Sequence, residues 1–394
     1  MNIQTVKQRT ALTPRREPYW ATLATGRHIG YRRKDDGGSW IARAYDPATR
    51  KRIYRALPEV SRVAASEQFS EASRKAREWF NHLDRGGRPE TITVAEACEL
   101  YAKDQRDKKG DTAADDAEKR FKRYINDDPI ANIQVDKLQR RHVAEWRKRM
   151  SAVPAAPPRR GAKYKDAPAP PMRKRTDSTV NRDMVCVRAA LNYAKREGYV
   201  TTDFAWSEPL KPKANADGRR DLYIDRAQRL ALINALPSDL AAFVRGLCLL
   251  PLRPGALAKI KVSDFDARAG ILHVKLDKAG SNRKIPLPDQ TAKMLREQMK
   301  NKLPGALLFT RGDGEPWTKD YWKKKVSSAA RDAELPEGVT LYTIRHSVIT
   351  DLVTGGFDVF TIARLAGTSV LMIQNHYCKV KEELARDALA GLSL

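Results

Sequence analysis

Between Gly30 and Leu57 short apolar runs alternate with arginine: Ile29-Gly30-Tyr31-Arg32-Arg33, Ser39-Trp40-Ile41-Ala42-Arg43-Ala44-Tyr45 and Arg52-Ile53-Tyr54-Arg55-Ala56. This period of two, broken at Asp35-Asp36-Gly37-Gly38 and Asp46-Pro47-Ala48-Thr49, predicts a small three-stranded antiparallel sheet. Over residues 62–84 the spacing becomes helical, with Phe69, Ala72, Ala76, Trp79, Phe80 and Leu83 on one stripe, and Gly86-Gly87 stops the run. From Thr91 to about Phe204 the pattern stays helical, with Val94, Ala97 and Leu100 in one segment and Val143, Trp146 and Met150 in another. Arg182 to Gly198 forms a third segment, whose apolar stripe is flanked by Arg182, Arg188 and Lys195. Residues 153–176 interrupt this pattern with a Pro- and Lys-rich stretch that cannot build a core and predicts an extended insertion.

After a second linker at 207–220, Asp225-Arg226-Ala227-Gln228 reads as a capping box that opens an apolar helix. Leu272–Leu276 and Lys284–Leu287 predict a β-hairpin, and helical spacing returns at 291–302, 319–333, 343–354, 359–366 and 370–377. The predicted fold is therefore mainly α with small β-sheets, in several domains. These are a β domain at 1–60, a connecting helix at 61–90, a helical domain at 91–206 carrying the 153–176 insertion, the 207–220 linker, and a mixed, mostly α domain at 221–394. Its last residues, 380–394, form a short amphipathic tail suited to docking on a neighbouring protomer or folding back on its own domain.

Charge sharpens this picture. With 74 Lys and Arg against 48 Asp and Glu, the 394-residue chain carries a formal +26, more than solubility requires, and points to a polyanionic partner. The positive charge is spread along the whole chain instead of being gathered into a polybasic cluster, which favours double-stranded DNA over an anionic membrane. No apolar run approaches the roughly 18 residues of a membrane span, and the basic N-terminal stretch lacks the apolar core of a secretory signal, so a cytoplasmic location is expected. Four widely spaced cysteines, Cys98, Cys186, Cys248 and Cys378, suggest neither a disulfide framework nor a metal site. In the sheet Arg32, Arg43 and Arg55, and in the third helical segment Arg182, Arg188 and Lys195, are the candidate DNA contacts.

The candidate chemistry lies in the last domain. Negative charge grows on the non-bridging oxygens of a phosphodiester under attack, and guanidinium forks match those oxygens while staying charged. Arg253, in Pro251-Leu252-Arg253-Pro254-Gly255, and Arg345, in Leu341-Tyr342-Thr343-Ile344-Arg345-His346, are the candidates for that clamp. Lys278, at the predicted hairpin tip, is suited to protonating a leaving oxygen, and Lys275 and Lys284 compete with it. Tyr377 is a candidate oxygen nucleophile, with Tyr342 and Tyr321 as alternatives.

In their order these residues resemble the tyrosine recombinase family, which includes phage-type integrases. Leu-Arg-Pro-Gly followed by Leu257-Ala258-Lys259-Ile260 and Asp264 is similar to the first arginine box, Lys278 before Ile285-Pro286-Leu287 to the hairpin lysine, Arg345-His346 to the second box, and Leu365-Ala366-Gly367-Thr368-Ser369 with Tyr377 to the closing segment. The resemblance implies site-specific DNA recombination through a 3′-phosphotyrosyl intermediate without cofactor or metal. It places Arg253, Lys278, Arg345 and Tyr377 in catalysis, and Tyr342, His346 and Thr368 in support. It further implies an arm-binding sheet, a core-binding helical domain, a tetramer on DNA, and an accessory DNA-bending protein or excisionase as partner. Such an enzyme of a prophage or genomic island would work at the bacterial nucleoid. Three positions depart from the family pattern: Tyr342 stands where histidine or lysine is usual, Thr368 where histidine or tryptophan is, and Ala256 where an acid is common. Tyr342 and Thr368 keep hydrogen-bond donors for phosphate but carry less acid–base capacity. A type IB topoisomerase and a catalytically weakened DNA-binding regulator are the competing readings.

Overall fold

The computed structural model describes residues 2–47, 49–155, 172–214, 216, 222–275 and 282–375. The chain forms two compact units, Met1–Gly218 and Arg219–Leu394.

The first unit opens with a one-turn helix, α1 (Val6–Thr10), capped reciprocally by Thr5 and Gln8. An antiparallel meander follows, β1 (Tyr19–Ala24), β2 (Arg27–Lys34), β3 (Gly37–Asp46) and β4 (Lys51–Ala56), in the order 1-2-3-4. The sheet thus has four strands, one more than the alternation predicts. β1 was hidden because Tyr19-Trp20-Ala21-Thr22-Leu23-Ala24 is apolar on both faces: Tyr19 is buried in the core, while Trp20 lies across the other face against Tyr54 and Arg43. Register places Tyr19, Tyr31 and Trp40 in one row on the inner face, and Ile29, Ala42 and Arg55 in another. The inner face packs against α2 (Gln68–Asp84) through Ala72, Ala76, Trp79 and Phe80. Inside this core Arg9 donates to the carbonyls of Ile3, Gln4 and Ala65 and sits over the rings of Tyr31 and Trp40, which accounts for a cation 3% exposed.

The helical part of this unit comprises α3 (Val94–Lys109), α4 (Asp111–Tyr124), α5 (Arg140–Ala152) and α6 (Asp177–Arg196) around Phe121, Trp146, Met184, Leu191 and Trp206. α3 and α4 meet at Gly110, whose φ of 82° breaks one helix and starts the next without the steric cost another residue would meet. Buried Arg175 donates to Asp183 and Tyr124 at 2.6 Å each, and to the carbonyls of Val153 and Met150. With Ala155 N–H on the Arg173 carbonyl at 2.8 Å, the two flanks of the insertion are held together. Residues 156–171 of that insertion lie outside the described residues.

The second unit contains α7 (Arg226–Asn234), α8 (Ser238–Leu249), α9 (Pro254–Leu257), a three-stranded antiparallel sheet of β5 (Phe265–Asp266), β6 (Ile271–Val274) and β7 (Arg283–Pro286), then α10 (Asp289–Met299), α11 (Lys319–Asp332), α12 (Leu341–Thr354) and α13 (Val359–Ala366). Helix also covers residues 370–375. The Asp225–Gln228 capping box starts α7 as expected. Phe243, Leu247, Leu252, Phe309, Trp317, Ile344 and their neighbours fill one core, and α12 crosses it with residues buried on nearly every side. Asp351 anchors α12 to α7, accepting from Arg229 Nη2 at 2.5 Å and Tyr223 OH at 2.7 Å.

Candidate active site

The site is built outward from α12. Thr340 caps the helix against Thr343, and Ser347, fully buried, donates to the Thr343 carbonyl and accepts the Ile224 N–H, both at 3.0 Å. Arg345 lies on this rigid helix and is 8% exposed. A guanidinium so enclosed needs fixed acceptors, and its Nη1 donates to the buried Pro251 carbonyl. That carbonyl belongs to the segment carrying Arg253. Pro254 begins α9 and confines the preceding Arg253 to extended backbone (φ −66°, ψ 139°), while the Arg253 carbonyl accepts Ala256 and Leu257 N–H. The half-buried Arg253 side chain then donates from Nη1 to the Gly367 carbonyl at 2.7 Å. Gly367 closes α13 in the left-handed region (φ 65°, ψ 51°), and the next residue, Thr368, is held by its N–H on the Ala363 carbonyl at 3.0 Å. Two arginine-to-carbonyl bonds therefore tie α12 to the 251–253 segment and that segment to the 367–368 turn.

The structure thus brings Arg253, Arg345 and Thr368 into one connected arrangement. Tyr342 is one turn before Arg345 on α12 with its ring 47% exposed, and His346 is half-buried beside Arg345. Lys278 and Tyr377 lie outside the described residues. Of the lysines that compete with Lys278, Lys275 pairs with Asp264 at 2.7 Å, and Lys284 lies exposed in β7. Asp264 is buried, which works to raise its pKa, yet the Lys275 ammonium and the Lys261 N–H at 2.9 Å outweigh burial and hold the carboxyl below its ordinary value. This pair fixes the chain where it leaves β6. Tyr321 is on α11 with Arg311 stacked 3.7 Å from its ring centroid. A groove of ≈ 1360 Å³, lined largely by apolar side chains such as Trp317, Trp322, Val326 and Leu335, includes Tyr342 but not Arg253, Arg345 or Thr368, so the site's chemistry is not located there.

In the first unit the candidate DNA contacts separate. Arg32 and Arg43 lie on the outer face of the sheet, Arg43 over Trp20 at 4.2 Å. Arg55 is on the inner face and forms an ion pair with Asp136, because register pairs it with inward-facing Ala42. On α6, Arg182 is exposed and Arg188 half-buried, whereas Lys195 is paired with Asp203 at 2.9 Å. Sequence reasoning missed Arg283, the first residue of β7, which is 7% exposed and packs against Gly367. Its only signal is an arginine placed in phase with buried Ile285 on a short strand.

Residues 223–383 match the phage integrase family. That region belongs to the phage integrase family. A tyrosine recombinase of Thermosipho africanus is 22% identical over 224 residues, covering 55% of this chain and 76% of that one. Among solved structures, the Tn1549 transposon integrase in complex with transposon right-end DNA superposes with a TM-score of 0.56 at 18% identity, covering 77% of this chain and all of that one. Lambda integrase, as a tetramer bound to a Holliday junction, superposes with a TM-score of 0.51 at 16% identity, over 83% and 89% of the two chains. These likenesses make the fold that of multidomain tyrosine integrases, mainly helical with two small antiparallel sheets.

Proposed function

We propose that this protein is a tyrosine recombinase, a site-specific DNA integrase that cleaves and rejoins strands through Tyr377. The observation that carries the reading is the chain of contacts from Arg345 to the Pro251 carbonyl and from Arg253 to the Gly367 carbonyl, within the region matching the integrase family. Each guanidinium carries five N–H donors in a planar fork that matches phosphate oxygens and stays charged.

Tyr377 attacks the scissile phosphorus through its phenolic oxygen, a new P–O bond forms, and the bond to the 5′ oxygen breaks. The product is a 3′-phosphotyrosyl link and a 5′-hydroxyl whose proton comes from Lys278. Arg253 and Arg345 hold the charge that develops on the non-bridging oxygens, with Tyr342 and Thr368 as neutral donors and His346 as an orienting residue. Attack by a partner strand's 5′-hydroxyl reverses the step, so bond energy is conserved and no cofactor enters. Repeated exchange between two sites requires four protomers, an assembly supported by the lambda integrase tetramer on a Holliday junction. The basic outer face of the sheet, with Arg32 and Arg43, is assigned to arm-type DNA, and the helical part, with Arg182 and Arg188, to the core site. The DNA moved is that of a prophage or genomic island, an accessory DNA-bending protein or excisionase assists, and the work is done in the bacterial cytoplasm. Among the described residues no helix is long and apolar enough to cross a membrane.

The test uses a pool of nicked duplexes with a randomised core, from which wild-type protein should capture a discrete set covalently. Tyr377→Phe should capture none. Equal capture by Tyr377→Phe refutes the nucleophile assignment, and no capture by wild type favours a regulator that only binds DNA.

A further inference from the structure

We infer that Arg283 is a positioning residue for the phosphate site, holding the Gly367–Thr368 turn and, through it, the side chain of Arg253. The inference rests on the recombinase reading and adds to it a residue from a fourth segment, β7. Arg283 is 7% exposed although it is a cation on a four-residue strand. A Cβ placed on Gly367 would lie 2.0 Å from Arg283 Nη1, 2.5 Å from Cζ and 2.6 Å from Nη2. All three distances are far below van der Waals contact, so the guanidinium lies directly against the glycine Cα, in the space a side chain would take.

The same glycine accepts Arg253 Nη1 on its carbonyl at 2.7 Å. One residue is therefore held by two guanidinium groups, one at Cα and one at the carbonyl oxygen. Its left-handed φ of 65° and the absence of a side chain are both required for this arrangement. β7 is also the return strand of the hairpin, paired to β6 with Val274 opposite Arg283. Arg283 thus joins the rigid end of the hairpin to the turn that sets Arg253 and Thr368. Removing its side chain opens space beneath Gly367, and the turn can then relax away from the geometry that aims Arg253 at the phosphate. A misplacement of about 1 Å in such a site costs on the order of 10²-fold in rate.

The test compares single-turnover adduct formation, DNA affinity and thermal stability on a nicked duplex recovered by the randomised-core capture. Arg283→Met should form adduct about 30- to 100-fold more slowly, with the dissociation constant within about threefold of wild type because most binding comes from other phosphate contacts. Arg283→Lys should recover part of the rate, and Gly367→Ala should reproduce the defect of Arg283→Met. A substrate with sulfur at the 5′ bridging position needs no proton on its leaving group. It should rescue Lys278→Ala but neither Arg283→Met nor Arg253→Lys. Adduct formation by folded Arg283→Met within threefold of wild type overturns the inference, as does rescue by the sulfur substrate or a loss carried by affinity and stability alone. If Arg283→Met fails to fold, Gly367→Ala carries the same criteria. Absence of adduct with wild type would instead overturn the recombinase reading itself.

Discussion

Replacing Arg345 by lysine keeps a positive charge on α12 but removes the fork, and the structure says what that costs. In the wild type one Nη donates to the buried Pro251 carbonyl, and the planar fork holds its other N–H groups at fixed angles to that bond. A lysine ammonium is a compact charge on a longer, flexible stem and cannot face both partners in the same plane. If it keeps the Pro251 carbonyl, the phosphate loses a preorganised charged donor, worth about 2.7–4 kcal/mol in the transition state. If it turns to the phosphate, the carbonyl is left unpaired in the core at about 1–3 kcal/mol, and the segment bearing Arg253 loses its tie. Either route lowers single-turnover cleavage about 100-fold or more, while DNA affinity falls by less than about threefold because many other cations contact the backbone. The assay is adduct formation at saturating protein on a nicked duplex, with binding measured in parallel. Cleavage by Arg345→Lys within tenfold of wild type would refute the reasoning, as would a loss wholly explained by weaker binding.

Asp351→Ala leaves the Arg229 guanidinium, 9% exposed, without its carboxylate; discounted for the 37% exposure of Asp351, the loss is about 2 kcal/mol, or roughly 4–8 °C in Tm. Arg229→Met combined with Asp351→Ala should recover part of it, as thermal denaturation of the single and double variants will show. Arg43→Ala should reduce the salt slope of binding to a duplex by about one, whereas Arg55→Ala should leave that slope unchanged and cost about 1–2 kcal/mol of stability through its lost pair with Asp136. Burial pushes the Cys186 and Cys248 thiols up to about 11, so alkylation of the native protein at pH 8 should be about a hundredfold slower than in urea, measured by mass spectrometry. The Asp264 carboxyl, opposed by burial but held below its ordinary value by Lys275 and Lys261, stabilises the fold above the unfolded value of about 3.9 and loses that contribution as pH falls through the lower folded value. Denaturation curves of wild type and Asp264→Asn should therefore differ at pH 7 and converge in strong acid.

What was legible in the sequence was local. The Asp225–Gln228 box starts a helix because a short carboxylate and a glutamine three residues later satisfy N–H groups within one turn. The β6–β7 hairpin was legible from the apolar runs Leu272–Leu276 and Lys284–Leu287, and Leu272 indeed pairs with Ile285. β1 was not legible, since its two apolar faces serve different surroundings, the core under Tyr19 and the Trp20–Tyr54–Arg43 cluster outside. Arg55 and Lys195 read as DNA contacts because charge in an alternating or amphipathic pattern marks a face. Only register and tertiary packing place Arg55 inward on Asp136 and Lys195 on Asp203. The candidate site was legible as a set of residue types in order, but its internal ties were not, because a carbonyl that receives a guanidinium has no sequence signature.

Those ties also bear on the neutral residues at Tyr342 and Thr368. Like charges gathered at short range repel one another, and Arg253, Arg283 and Arg345 all contact the Pro251 or Gly367 segments. Carbonyls of Pro251 and Gly367 oppose that repulsion with partial negative charge, and they do so without titrating. A further cation at 342 or 368, such as a protonated histidine or a lysine, would add to the repulsion before any phosphate arrives. Neutral hydroxyls there keep hydrogen-bond donors in reach while leaving the positive charge of the site to residues whose protonation does not change near neutral pH. In the proposed mechanism these neutral residues do not share proton transfer, which leaves the leaving-group proton to Lys278.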